Sequence, residues 1–270
     1  MKKILLIVVL ILVGLNAQAW TSHQDEGVVL LAAKYLSSEA KGVVERYLGT
    51  TYSDDVAYLV DLEKKGQSPY SKEVHYLHLN SDLQPVAVEG DDALKTLEQA
   101  LAVVATHESH PRGEVVRALR IIINLMCDIH TPSHIRIEGV EHSQHDFEFT
   151  WSGNREGPSP DKRDKYETRG KLTWSKMWRS SFCGWHQGWS SNYYAYDLDL
   201  RFGRIREQAM QGSVRDWAHE VGTRAKPLYE WVEPGMLMRN EPRLNLEELH
   251  LEMVARAGYR LAAIMNNIVK

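Results

Sequence analysis

Apolar and polar positions along the chain recur mainly at helical spacing. "EGVVLLAAKYLSSEAKGVVERYLG" (26–49) predicts two helices broken at Leu36-Ser37, with Ser37 or Ser38 capping the second and Gly49 ending it. "SDDVAYLVDLEKKG" (53–66) predicts another, started at Ser53 or Asp54 and stopped by Gly66. "DDALKTLEQALAVVATH" (91–107) and "GEVVRALRIIINLMCD" (113–128) follow, the second closed near Pro132. "LNLEELHLEMVARAGYRLAAIMNNIV" (244–269) reads as one long amphipathic helix. Strand alternation is confined to "HDFEFTW" (145–151), where Phe147, Phe149 and Trp151 alternate with polar residues, with "GKLTW" (170–174) as its expected hairpin partner. Residues 152–170 carry charge, Pro and Gly without an apolar face and read as an exposed loop. No internal repeat or linker separates two cores. The expectation is a mainly α, single-domain multi-helix bundle over residues 20–270 with a small β-hairpin.

The first 19 residues, "MKKILLIVVLILVGLNAQA", read as a signal peptide. Lys2 and Lys3 precede an apolar run, and Ala17-Gln18-Ala19 is a small-x-small cleavage site. The run is shorter than the ~20 residues needed to span a bilayer, so no stable membrane anchor is expected. Cleavage would place Trp20 at the mature N-terminus of a periplasmic or secreted protein. Loss of Lys2 and Lys3 takes the formal net charge from −4 to −6. That balance argues against tracking long stretches of duplex phosphate, but not against a deep cleft that takes one phosphate at a time. Cys127 and Cys183 are the two cysteines. They can pair in an oxidising compartment, or Cys127 can be a buried thiol on its apolar helix.

The chemistry concentrates in "NLMCDIHTPSHIRI" (124–137), where an apolar helix ends in Asp128, His130 and His134 around Pro132. A carboxylate at a helix C-terminus is disfavoured by up to ~1 kcal/mol, because the macrodipole is already negative there. A cation would compensate. Metal sites in helical proteins gather His and carboxylates from several helices. Asp61 on an otherwise apolar helix face, and His75 and His78 in "EVHYLHLN", are further candidates.

"CDIHTPSH" resembles the G-D-x-H-Q-P-L-H signature of the zinc-dependent single-strand nucleases of the S-one/P-one type, which are distantly related to zinc-dependent phospholipase C. "WTSHQDEGVVLLAAKYLSSEA", "YLHLNSD", "HDFEFTWSG", "RDWAHEV" and "ARAGYRLAAIMNNI" resemble other family segments, in family order, over nearly the whole of residues 20–270. The resemblance implies a mainly α-helical fold of the nuclease/phospholipase C type that holds three zinc ions. It implies metal binding by Trp20 (free amine and carbonyl), Asp61, His78, Asp128 and His134. Asp61 and Asp128 are the residues it places at the catalytic metals, with Asp128 bridging two of them. His130 would not touch metal, but either support the ligands or serve packing.

Four ligand positions of the family depart from the pattern. Asp25 and Asn124 stand where the family has His, and Thr173 and Met177 where it has the remaining partners of the second zinc. Asp25 and Asn124 still offer oxygen, a harder donor set that suits Mn²⁺, Mg²⁺ or Ca²⁺ better than an all-His set would. The second zinc retains His134, unless His142 or His145 replaces the missing pair. Fewer than three metal ions are therefore expected.

The function implied by the resemblance is an exported metal-dependent phosphodiesterase that cleaves single-stranded DNA and RNA to 5′-nucleotides. Its partners would be single-stranded nucleic acid or nucleotide phosphodiesters, with aromatic residues of "SSFCGWHQGWSSNYYAY" (180–196) either stacking a base or packing as a loop on the core. Two alternatives stay open: a non-catalytic, metal-binding or structural descendant, and a phospholipase-C-like lipid phosphodiesterase.

Overall fold

The computed structural model describes residues 22–52, 54, 74–90, 92–154, 167–178, 190–238 and 240–269, and it is mainly α-helical. Residues 1–21 and 55–73 lie outside these, so the expected signal peptide, Trp20 and Asp61 are not described.

Helices α1 (Ser22–Lys34) and α2 (Ser38–Leu48) are separated where the polar pair Ser37-Ser38 interrupts the apolar pattern. The Ser37 hydroxyl accepts from the Ala40 backbone N–H, and Gly49, at φ 79°, closes α2 in the left-handed conformation. Helices α3 (Ala93–Ala105) and α4 (Arg112–Asp128) form an antiparallel pair, α3 being capped by the Asp92 carboxylate. Three further long helices are described, α5 (Ser191–Phe202), α6 (Val214–Trp231) and α7 (Asn240–Asn266), with a short helical segment Arg206–Ala209 between α5 and α6. Sequence periodicity did not single out α5. Ser190 caps it, and within it Tyr194 is buried while Tyr193 and Tyr196 face solvent, so residues 191–196 are helix rather than loop. The long α7 lies against α1. Gly258 permits this close approach, since a Cβ there would come within 2.9 Å of the Leu31 side chain.

The expected hairpin is present. Strand β3 (Glu148–Asn154) pairs antiparallel with β4 (Glu167–Thr173), in register Phe149 to Leu172. Both strands extend into the stretch 152–170 that composition assigned to an exposed loop, and a short strand β5 (Leu237–Met238) adds parallel to β3. Backbone pairing carries those polar strand ends, which have no apolar alternation to announce them.

A second, smaller sheet matters more for the site. Strands β1 (Leu77–Leu79) and β2 (Ile135–Ile137) run parallel, with Leu77, His78 and Leu79 opposite Ile135, Arg136 and Ile137. Leu77, Leu79, Ile135 and Ile137 are buried in the core, which puts His78 and Arg136 together on the opposite face. The same pairing brings the residues just before each strand, His75-Tyr76 and Ser133-His134, to one end of the sheet. The buried apolar side chains join into one continuous cluster beneath it.

Candidate metal centre

Helix α4 ends at Asp128 because the next residues consume its last carbonyls. The Leu125 carbonyl accepts from Ile129 N–H at 2.9 Å and the Met126 carbonyl from the His130 ring at 2.8 Å. The Cys127 carbonyl accepts from the Thr131 hydroxyl at 3.0 Å, and that of Asp128 from Thr131 N–H at 2.9 Å. Each of the four terminal carbonyls is satisfied within "IHT", and Pro132 cannot prolong the helix. A short helical turn, Pro132–His134, then delivers His134 back toward Asp128. Tyr229 from α6 pins this turn, its hydroxyl donating to the Pro132 carbonyl at 2.5 Å.

Asp128 is 1% exposed and lies between two imidazoles. His75 Nδ1 is 2.6 Å from Oδ2, and His134 Nδ1 is 3.2 Å from Oδ1. Asn124, one turn earlier on α4, points its amide at Oδ2 from 3.4 Å. Burial alone would raise the Asp128 carboxyl, but His75 and His134 outweigh it and hold the group below the usual carboxylate range. The contact between Asp128 Oδ1 and His134 Nδ1 is not aligned as a hydrogen bond, and each atom is buried without such a partner. Orphaned buried polar atoms are costly. Two imidazoles and a carboxylate at a helix end form a donor set that a divalent cation satisfies.

Among the described residues, no three His, Cys, Asp or Glu side chains are already arranged around one metal position. Asp128, His134 and Asn124 do share one site, and His75 joins them as the nearest partner of Asp128. No hydrogen bond, ion pair or ring contact links His78 to Asp128; it stands opposite Arg136 in the β1–β2 pair, and Asp61, its expected co-ligand, lies outside the described residues. The difference between His75 and His78 was not legible from spacing, because both lie in "HYLH" and the parallel partner decides which reaches Asp128. Asp25 is half-buried in the first turn of α1.

His130 is fully buried and turned away from the site. Its Nδ1 donates to the Met126 carbonyl, and its Nε2 accepts from Arg260 at 2.9 Å. Burial, then the neighbouring Arg260 charge, hold its pKa well below the usual histidine value. The positions of the missing zinc partners have structural employment. Thr173 caps the helical turn Trp174–Lys176 through its hydroxyl, and Met177 is 0% exposed in the core. The His142 ring lies tilted against that of Phe147, at 5.9 Å between centroids, and His145 is exposed. Cys127 is buried in α4, and Cys183 lies outside the described residues.

No protein-family model matches this chain, and no curated protein matches its sequence. Among the described residues, no helix is long and apolar enough to cross a membrane.

Proposed function

We propose that the protein is an exported metal-dependent phosphodiesterase of the nuclease/phospholipase C type, acting on single-stranded nucleic acid. The observation that supports this reading most strongly is Asp128: a buried carboxylate at a helix C-terminus, flanked by His75 and His134, with one oxygen left without a hydrogen bond. His75, Asp128 and His134 would hold the first ion, with Asn124 at its edge. Trp20 and Asp61 enter by the sequence resemblance alone. When bound, zinc, or Mn²⁺, Mg²⁺ or Ca²⁺ on the harder donors, supplies a Lewis acid for phosphoryl oxygens and lowers the pKa of nearby water. Asp128 orients the His75 imidazole through the 2.6 Å hydrogen bond, and the 12% exposure of the His75 side chain gives the site access to solvent.

A second reading has its own observation. Thr173 and Met177 are committed to a cap and to the core, which supports a reduced site and a metal-binding protein without catalysis. Metal analysis of the protein purified without chelator, followed by assays on single-stranded DNA and on a phospholipid, separates these readings. One or two ions with DNA hydrolysis supports the nuclease. Metal without hydrolysis of either substrate supports the binding protein, and hydrolysis of the lipid alone supports the lipid phosphodiesterase. Absence of bound metal would reject both hydrolase readings and leave a structural, non-catalytic descendant.

A further inference from the structure

On the face of the β1–β2 pair turned away from the core, His78 and Arg136 line an open cavity of about 500 Å³ with Val86, Val140, Glu141 and Gln144. Arg136 is half-buried. Its Nη1 donates to the Ser133 carbonyl at 3.1 Å and the Ser143 carbonyl at 2.7 Å, and its guanidinium lies 3.8 Å from the centre of the Tyr76 ring. These partners fix the side chain, yet all are neutral. No carboxylate pairs with Arg136 among the described residues, and its Nε and Nη2 make no hydrogen bond there. Opposite it in register, His78 has Nε2 buried and also without a hydrogen-bond partner. A guanidinium whose charge is held in place but unpaired, beside an imidazole nitrogen in the same state, fits an oxyanion with several acceptor oxygens. Tyr76 links this cavity to the site: its ring meets the Arg136 guanidinium and, edge-on, the His134 ring at 5.5 Å between centroids.

We infer that this cavity binds a phosphate group, through Arg136 and His78, next to the candidate metal centre. The inference rests on the phosphodiesterase reading only for the identity of the anion. There the cavity takes a phosphate other than the one attacked, so that a substrate with two phosphates is held at both ends. Arg136 over the Tyr76 face leaves no room for a base to stack on that side. Glu138 and Glu141 also line the cavity, but both are exposed, where water screens their charge.

The test is calorimetric titration of inorganic phosphate into the full chain in the presence of a chelator, so that no metal contributes. Binding is expected for the wild type. It should weaken about tenfold or more in Arg136→Gln, the scale of one lost charge-assisted hydrogen bond. His78→Gln should weaken it as well, and Glu141→Gln, an exposed change that leaves the clamp intact, should tighten it. Metal content is measured on the same variants and should not change, which separates failure of the anion site from failure of the metal site. Tighter binding of thymidine 5′-phosphate than of glycerol phosphate would assign the cavity to nucleotides, and the reverse to a lipid headgroup; either outcome upholds an anion site. Phosphate binding that needs added metal, or equal affinity in folded Arg136→Gln and His78→Gln, overturns the inference.

Discussion

Arg260 Nη1 donates to His130 Nε2 at 2.9 Å inside the core, so the imidazole accepts on one nitrogen and donates to Met126 from the other. The end of α4 is thereby tied to α7 through a neutral histidine, and Arg260 is tied in turn to Glu220 of α6. Burial lowers the Arg260 pKa to about 10 against the pull of Glu220, which still leaves it charged at neutral pH.

Removing Arg260 leaves Glu220 with Arg224 and Arg256, but strips His130 and the Ala209 carbonyl of their donor. Arg260→Leu should therefore cost roughly 3 kcal/mol, the usual scale for breaking a buried charged network from one side. Urea unfolding of the variant measures this. A loss below about 0.5 kcal/mol, the range of ordinary surface changes, would show that packing around the leucine replaces the network.

His75 and His78 should separate cleanly in a metal assay. His75→Ala removes the 2.6 Å partner of Asp128 and should lower bound metal and melting temperature together, since metal binding free energy adds to folding free energy. His78→Ala should leave metal content unchanged. The reverse pattern would restore the ligand set implied by the sequence resemblance and displace the one favoured by geometry.

Rebuilding the second zinc site by Met177→Asp is expected to fail for a reason visible in the core. Met177 is fully buried among apolar neighbours, and an unpaired carboxylate there costs several kcal/mol or stays protonated. The variant should express poorly or melt well below the wild type, whereas Asn124→His, at a half-buried position on the Asp128 face, should fold and bind zinc more tightly. Circular dichroism melts and zinc titration of the two variants check both statements.

Acid stability should depend on Asp199. Burial alone would raise this carboxyl, but hydrogen bonds from Lys34, Tyr35 and Tyr259 outweigh it and hold the group below its ordinary value. The unfolded chain then binds the proton more readily, so the contribution is fully present above the unfolded pKa of about 3.9 and is lost as pH falls through the folded value. Asp199→Asn should flatten the melting-temperature profile below about pH 4 while lowering it at neutral pH. An unchanged acid slope would show that other carboxylates dominate.

Much of the helical frame is set locally and was legible in the sequence. Ser37, Asp92 and Gly49 act through hydrogen bonds and backbone angles within one turn, and α4 and α7 announce themselves by apolar spacing. Asp128 was legible for the same reason: a charge at a helix C-terminus conflicts with the dipole whatever surrounds it. The pairing of β1 with β2 was not legible, because three-residue strands carry too little pattern, and their register depends on a partner more than 50 residues away. That pairing brings His75 to Asp128 and sets His78 opposite Arg136. Spacing along one chain can place two histidines three residues apart, but only packing against a second segment gives them different neighbours.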